Sequence, residues 1–408
     1  MRSTVSLARL FAATAVVALA FVCAQAADAK KPGDLPDSAA TPDNLSGNQW
    51  ALTRIKAFQA HEVTGGSPLV RVALLDSGVD SLHPEFAGRI DQADSVNCST
   101  GEPQTDPSGA LWTDDVGHGT LVAGVVAAGD NTFGIVGTAP NVQLVIVKIV
   151  GRGQPITPEA AACGFNWVAD HDIDVANASF AIDKGPTAGG DPLDFFCGDE
   201  ADRAAISLVQ TAVDRARKSG ATIVASAGNN DLDMADPAGG EECVRMPVQL
   251  DGVIAVSGEG RFGERTRSNP PGASNYGLGV IDFVAPGGDP AQGGVPGGLI
   301  LSTFPSYLPV PPTSPNIVDG PPGATYRYTA GTSFAAAHVS GAAALIVSRF
   351  GDLKSPKNGK LNPSWVGNTL RKTAVPTPCP EDPRCEGSAD HNGFFGYGEI
   401  DALAAVTR

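Results

Sequence analysis

The stretch VALLDSGVD, residues 72–80, decides the fold class, because an unbroken apolar run ends abruptly in Asp-Ser-Gly. An apolar run without polar alternation is typical of a strand that is buried on both faces, as in a parallel sheet covered by helices. We therefore predict a strand over 70–75. Four further runs of this kind predict strands over 142–150, 174–179, 222–227 and 253–257.

Helical patterns lie between these predicted strands and after the last of them, over 118–128, 158–171, 201–219 and 333–349. Strands that alternate with helices indicate a doubly wound α/β fold, which is a mostly parallel sheet with helices on both faces. A chain of 408 residues can form this fold as a single domain, which we place at 48–408. Proline and glycine crowd 286–323 around the short apolar piece 299–304, so we expect surface loops there.

The first 26 residues have the features of a secretory signal peptide. Arg2 and Arg9 precede an apolar run over 10–22, and Ala24-Gln25-Ala26 has the small-x-small form of a cleavage site. A membrane anchor is one alternative, but the apolar run of about 13 residues is shorter than the roughly 20 that span a bilayer. A lipid anchor on Cys23 is another. We expect cleavage after Ala26 and no stable membrane insertion.

The composition agrees with export to the cell exterior or the periplasm. The segment 27–47 is poor in apolar residues, which predicts a flexible leader. The net charge of −16 argues against nucleic acid as a partner. Six of the seven cysteines remain once Cys23 is removed, and they predict disulfides, with free buried thiols as the alternative. Cys379 and Cys385 are the easiest pair, because the segment between them is short and rich in turn-forming residues.

Three short motifs set chemically different side chains among glycines and small residues: Asp76 in VALLDSGVD, His118 in GHGTLVAG and Ser333 in GTSFAAAHVSG. A serine hydroxyl becomes a nucleophile when an imidazole takes its proton, and a buried carboxylate fixes the tautomer of that imidazole. Open α/β sheets bind ligands at the carboxyl edge, where Asp76 is expected. Taken singly, Asp76 would also suit a turn, His118 a helix start or a metal site, and Ser333 an N-cap. Together they predict a serine hydrolase.

The chain order Asp, His, Ser and the motifs around these residues resemble the subtilisin-like serine proteases, the subtilases of peptidase family S8. The resemblance runs from about residue 50 to 398, and 361–372 resembles the closing helix of the family. The α/β-hydrolases are an alternative, but GTSFA lacks their G-x-S-x-G elbow. The related sedolisins use Glu where this chain has His118. Four positions within the His118 and Ser333 motifs depart from the residues usual in the family, and we expect them to alter packing rather than proton transfer: Leu121, Phe334, Ala336 and Ala337.

The resemblance implies further site residues. Asn229 in VASAGNND matches the oxyanion-hole asparagine of the family, which acts with the backbone N–H of Ser333. Two segments resemble those that bind an extended peptide by strand pairing, which implies polypeptide substrates. They are Gly151-Arg152-Gly153 and Ser179-Phe180-Ala181. No cofactor is implied for catalysis.

A structural calcium ion is also implied by the resemblance. The segment GDNTFGI, residues 129–135, matches a calcium loop of the family in length and in Asn131, and Glu85 occupies the matching carboxylate position. Oxygen ligands from these side chains and from loop carbonyls would suit Ca²⁺. An ordinary turn of the Asp-Asn-x-x-Gly type is the alternative.

The sequence as a whole predicts a secreted, monomeric serine endopeptidase that hydrolyses peptide bonds through an acyl-enzyme. The alternative is a catalytically silent secreted binding protein on the same scaffold. Acidic residues follow Asn229, from Asp231 to Glu242, and leave the substrate preference open. Their carboxylates would attract Lys or Arg before the scissile bond if they faced the substrate, and otherwise they are solvated surface charges.

Overall fold

The computed structural model of the chain describes residues 45–106, 108–184, 195–237, 243–267, 273–292, 297–309, 316–354 and 360–408. The predicted signal peptide, most of the predicted leader, and Glu241 and Glu242 lie outside the described residues. At the amino end of the described part, the amide of Leu45 donates to the carbonyl of Gly134. A 3₁₀ helix at Ser46–Asn48 leads into the first α-helix.

Twelve β-strands, numbered β1 to β12 in chain order, occur in the described part of the chain. They are Arg71–Asp76, Val96–Asn97, Gln143–Lys148, Val175–Ala178, Phe196–Cys197, Thr222–Ser226, Cys243–Val244, Ile254–Glu259, Phe283–Pro286, Ile300–Phe304, Ile317–Asp319 and Thr325–Thr329. Seven of them form one sheet in the order β2-β3-β1-β4-β6-β8-β9, and every neighbouring pair is parallel. The predicted parallel sheet is confirmed, and the five predicted strands match β1, β3, β4, β6 and β8 to within two residues at each end.

Eight α-helices, numbered α1 to α8, occur in the same described ranges. They are Trp50–Arg54, Ala57–His61, His118–Ala127, Pro158–Asp170, Glu200–Lys218, Thr332–Phe350, Pro363–Thr373 and Ala402–Thr407. The four main predicted helices correspond to α3, α4, α5 and α6, and the predicted closing helix is α7. Local signals explain two of the starts, since the side chains of Thr157 and Asp199 accept hydrogen bonds from first-turn amides of α4 and α5.

Both faces of the sheet are covered, as the lack of alternation in β1 predicts. Val72 and Leu74 pack into a core with α3 and α6 on one face, whereas Ala73 and Leu75 pack with α4 and α5 on the other. All four side chains are at most 1% exposed. Full burial of a side chain such as Leu74 contributes about 1.5–3 kcal/mol to stability. The doubly wound α/β fold is thereby confirmed.

The central helix α6 is buried without interruption over residues 332–347. By length and composition it would suffice to cross a membrane, but its burial inside the domain is that of a core helix. Gly341 lets it approach the segment after α3, because a Cβ at this position would lie 2.4 Å from the Cβ of Thr138. This close packing sets the middle of α6 against the segment that follows α3.

A three-stranded antiparallel sheet in the order β10-β12-β11 lies within and just after the range predicted as surface loops. All five residues of β10 are buried. The hydroxyls of Ser302 and Thr303 donate to carbonyls of α3 at 2.5 and 2.6 Å. The apolar piece 299–304 is therefore a buried strand that packs on the helix carrying His118, although glycine- and proline-rich segments surround it.

Three disulfides join the six cysteines that remain after Cys23. Cys98–Cys163 ties the segment after β2 to α4, Cys197–Cys243 joins β5 to β7, and Cys379–Cys385 closes a short loop. The prediction of the Cys379–Cys385 pair is confirmed. Closing the 65-residue separation of Cys98–Cys163 stabilises the fold by about 4 kcal/mol in the chain-entropy account.

Candidate active site

Asp76 and His118 form a hydrogen-bonded pair at the carboxyl edge of the sheet. Asp76 ends β1, His118 begins α3, and the Nδ1 atom of His118 lies 2.8 and 2.9 Å from the two carboxylate oxygens. Glycine permits this approach, because a Cβ at Gly119 would lie 2.1 Å from the carbonyl oxygen of Gly78. Since the carboxylate can only accept, Nδ1 carries the proton and Nε2 is the atom left to accept another.

A buried aspartate that the sequence reasoning missed, Asp114, holds this pair in place. Its Oδ1 atom accepts from the Ser77 hydroxyl at 2.9 Å, and that hydroxyl accepts from the amide of Gly119 at 2.9 Å. Its Oδ2 atom accepts from the amide and the hydroxyl of Thr120 at 2.9 and 2.6 Å. Asp114 therefore links Ser77, the residue after Asp76, to the first turn of α3, which begins with His118. The available signal was its position four residues before His118, in DDVGH.

The electrostatics of the pair act on the protonation of His118. Burial lowers the pKa of the imidazole, but the charge of Asp76, its hydrogen bond and a contribution from Asp114 together outweigh burial, so the pKa is raised. As pH falls through this raised pKa, the imidazole becomes charged and can no longer accept a proton. A reaction that needs neutral His118 is therefore lost in acid at a higher pH than an ordinary histidine would give.

Ser333 lies in the first turn of α6. The ring of the next residue, Phe334, is 6.0 Å from the ring of His118. Ser333 is 8% exposed, and its hydroxyl donates to the carbonyl of Ser179 at 3.4 Å, while the Ser179 hydroxyl donates to the carbonyl of Ser333 at 2.9 Å. The contacts thus join Asp76 to His118, Ser333 to Ser179, and the residue after Ser333 to the ring of His118.

Asn229 follows β6 and faces the start of α6. Its Oδ1 atom accepts from the amide of Thr332 at 2.9 Å, and a Cβ at Gly331 would lie 3.5 Å from its Nδ2 atom. Because Oδ1 accepts this bond, the orientation of the side-chain amide is fixed with Nδ2 as its donor group. The loop is also held by Asn275, another residue that the sequence reasoning missed. Asn275 is wholly buried and accepts from the amides of residues 230 and 232 at 2.9 and 3.1 Å.

The two predicted substrate segments differ in how they are presented. Ser179 contacts Ser333 directly, and the neighbouring Phe180 is 9% exposed. In the other segment, the amide of Gly151 donates to the side chain of Gln154 at 3.1 Å, and the amide of Arg152 donates to Asp115 at 3.1 Å. A peptide that paired with Gly151 would have to displace the Gln154 side chain.

The acidic segment after Asn229 does not supply a free carboxylate at its first position. Asp231 forms ion pairs with Arg265 and Arg384, so its charge is compensated within the chain. Asp233 accepts from the amide of Ala235 in a local turn. These contacts favour structural roles for the first carboxylates of the segment over selection of a basic substrate.

Glu85 and Asn131 lie together, as the calcium prediction requires, but their contacts do not fit a cation site. The Glu85 carboxylate accepts from the Ile135 amide at 2.9 Å, the Tyr326 hydroxyl at 2.8 Å and the Asn131 amide at 2.9 Å. The carbonyl of Gly134 in the same loop accepts from the amide of Leu45 at 2.8 Å. The residues that the structure describes contain no group of three or more His, Cys, Asp or Glu side chains able to hold a metal. Three hydrogen-bond donors of the chain therefore satisfy this carboxylate.

Replacing Glu85 with alanine is expected to lower the free energy of unfolding by roughly 2–4 kcal/mol, because buried donors lose their acceptor. Urea denaturation of E85A measures this, with the exposed Glu62→Ala as the matched control. We expect a chelator to leave the Tm of the wild type unchanged. A fall in Tm that added calcium reverses would contradict the account and establish the ion at this loop.

The sequence pattern of the Subtilase family, Peptidase_S8, matches residues 68–398. The match covers most of the chain, so the chain belongs to this family of subtilisin-like serine proteases. Among curated relatives, Subtilisin DY of Bacillus licheniformis is 30% identical over 359 residues, which cover 88% of this chain and 98% of that protein. Subtilisin Savinase of Lederbergia lenta is 28% identical over 363 residues, which cover 88% of this chain and 98% of that protein.

Solved structures agree with the fold. A lanthipeptide protease superposes with a TM-score of 0.66 at 23% identity, covering 88% of this chain and 93% of that one. A protease of Pseudoalteromonas arctica superposes with a TM-score of 0.63 at 25% identity, and the match covers 90% of this chain and 99% of that one. The expectation of a subtilisin-like α/β fold is therefore confirmed.

Proposed function

We propose that this chain is a serine endopeptidase that hydrolyses peptide bonds through Asp76, His118 and Ser333. The observation that carries the proposal is the pair of short contacts from the Asp76 carboxylate to Nδ1 of His118, beside a serine at the start of α6. Membership of the Subtilase family supports the same chemistry. No cofactor takes part in the proposed reaction.

In the proposed reaction, the Ser333 hydroxyl oxygen attacks the scissile carbonyl carbon while Nε2 of His118 takes the hydroxyl proton. Nε2 then gives this proton to the leaving amine, and the departing amine leaves an acyl-enzyme on Ser333. Water attacks the acyl-enzyme with His118 again as the base, which releases the acid product and restores the hydroxyl. Asp76 stays ionised and stabilises the imidazolium.

This sequence of steps requires the Ser333 hydroxyl to exchange its 3.4 Å contact with Ser179 for one with Nε2 of His118. Such an exchange is ordinary, since catalytic hydrogen bonds are often long without substrate and tighten when it binds.

The developing oxyanion would be held by two donors, the Nδ2 atom of Asn229 and the backbone N–H of Ser333. The Ser333 amide lies in the first turn of α6, where helix amides have no intrahelical partner and the helix dipole favours negative charge. The bond from Thr332 to the Oδ1 atom of Asn229 supports this role, because it fixes the orientation of the side-chain amide.

Asn229→Ala is expected to lower kcat by about 10²–10³, the loss that follows from removing one oxyanion-hole donor in subtilisin, a relative of this chain. The KM for a peptide substrate should change little, because the donor acts on charge that develops in the transition state. Steady-state kinetics with a chromogenic peptide measure both constants. Asn166→Ala is the surface control, since the Asn166 side chain contacts the exposed Arg215. An N229A enzyme with wild-type kcat would exclude Asn229 from the oxyanion hole.

A polypeptide substrate would bind as an added strand beside Gly151-Arg152-Gly153 and Ser179-Phe180-Ala181. The proximity of Ser179 to Ser333 supports this placement for the second segment. Pairing with the first segment requires the Gln154 side chain to leave the amide of Gly151. Substrate entry is therefore coupled to a local side-chain movement.

We further propose that the chain is exported as a monomer without stable membrane insertion, with 1–26 as signal peptide, 27–47 as leader and 48–408 as the peptidase domain. The apolar run after Arg9 and the three disulfides support export. Amino-terminal sequencing of the protein from culture medium should begin at Ala27. A cytoplasmic chain that keeps Met1 and free thiols would contradict export.

A further inference from the structure

A cavity of about 450 Å³ opens at the sheet edge opposite to the candidate active site. It lies where β6, β8 and β9 begin, at Thr222, Ile254 and Phe283, and the helices α5 and α7 contribute Arg217 and Arg371 to its wall. The candidate active site lies where β1, β4 and β6 end. Because all these strands are parallel, the length of a strand, about 15 Å, separates the two places.

Two polar groups of this cavity are buried without a hydrogen-bond partner in the described ranges. They are the Nε atom of Arg217 and the hydroxyl of Thr222, a residue that is 2% exposed. The Arg217 guanidinium is held against Gly252, where a Cβ would lie 2.2 Å from its Cζ atom. An unsatisfied buried polar group costs about 1–3 kcal/mol. Because the chain encloses both atoms, a ligand in the cavity would meet the terminal nitrogens of the Arg217 guanidinium rather than its Nε atom.

The charged side chains that line the cavity indicate the sign of the charge on a ligand. Among the described residues, no carboxylate forms an ion pair with Arg217 or Arg371, and Arg371 instead lies 4.1 Å from the ring centre of Tyr397. The chain has 44 acidic and 28 basic side chains, so carboxylates are plentiful. On the same helix as Arg217, for example, Arg215 pairs with Asp170 at 2.9 Å. Two guanidinium groups that face one cavity unpaired form the donor set that carboxylate and phosphate oxygens prefer.

We propose that this cavity binds a small oxyanion, the carboxylate or phosphate group of a ligand, through the guanidinium groups of Arg217 and Arg371. The site is separate from the peptidase chemistry, and its occupation stabilises the folded chain by mass action.

One acidic residue, Asp282, also lines the cavity, and it makes the proposal pH-dependent. Its Oδ2 atom accepts from the Ala255 amide at 2.9 Å. Burial raises the pKa of Asp282 to about 6, and the hydrogen bond from Ala255 and the attraction to Arg371 offset this rise only in part. Arg371 from α7 interacts with it electrostatically, and the other charged or titratable groups that line the cavity are Arg217 from α5 and Tyr397. As pH rises through about 6, the carboxyl ionises and opposes an anion, so binding weakens.

The test is calorimetric titration of the purified protein with sulfate, whose charge is constant between pH 5 and 8, and separately with succinate as a carboxylate probe. Sodium chloride at matched ionic strength is the reference. Saturable binding should weaken at least about tenfold in Arg217→Gln and in Arg371→Gln, because each loses a charge-assisted hydrogen bond. Arg215→Gln is the matched control on α5 and should bind as the wild type does. Binding of only one of the two probes identifies which oxyanion the site prefers.

The pH dependence gives a second readout that a merely structural role of the arginines would not produce. Wild-type binding of sulfate should be tighter at pH 5 than at pH 8, and Asp282→Asn should remove this difference by strengthening binding at pH 8. The proposal is overturned if neither probe binds beyond the chloride reference, or if R217Q and R371Q bind like the wild type. The two arginines lie on different helices. If one of the two variants fails to fold, binding by the other variant still tests the proposal.

Discussion

Replacing Ser333 with alanine is expected to abolish peptide hydrolysis, with a loss in kcat of about 10⁶. The change removes the nucleophilic oxygen, and alanine suits the first turn of a helix that is already rich in alanine. A residual rate of about 10³-fold over water remains from oxyanion and binding contributions. Kinetics with a chromogenic peptide measure the loss, and thermal unfolding shows whether the fold is intact.

Ser348→Ala is the matched control, because Ser348 lies on the same helix and its hydroxyl donates to the backbone carbonyl of Ala344. This variant should keep wild-type turnover. If S333A also kept wild-type turnover, Ser333 would not be the nucleophile.

Asp76→Asn should lower kcat by about 10⁴, because the side-chain amide favours the wrong tautomer of His118 and cannot stabilise its cation. The same change removes the charge that raises the pKa of His118, so the acid limb of kcat/KM should move to lower pH. A pH profile of kcat/KM shows both effects. Asp170→Asn, at an exposed ion pair, should leave the profile unchanged. A D76N profile that keeps the wild-type acid limb would contradict the proposed role of Asp76.

Much of the fold was predictable because the informative signals are local. The unbroken apolar run before Asp76 marks a strand buried on both faces, and the structure places its alternate residues in two different cores. Asp76, His118 and Asn229 each stand at the end of a strand or the start of a helix. In a parallel sheet, such positions converge on one edge.

The missed features depend on contacts between distant segments. The apolar piece 299–304 pairs with β12, which begins about 20 residues later, and the turn signal GPPG before β12 joins that strand to β11 instead. The loop around Asn131 does not reveal that Glu85 also accepts from the Tyr326 hydroxyl, 241 residues away in the sequence. The role of Asp114 likewise depends on the Ser77 hydroxyl, 37 residues earlier.

The most direct test of the central claim is labelling with a fluorophosphonate, which reacts with a serine hydroxyl only when a neighbouring base activates it. The account predicts one label per molecule, located by peptide mass mapping on the peptide that contains Ser333, and absent from His118→Ala. An unlabelled wild-type protein that still hydrolyses peptides, or a label on another residue, would contradict the assignment of Asp76, His118 and Ser333 as the catalytic triad.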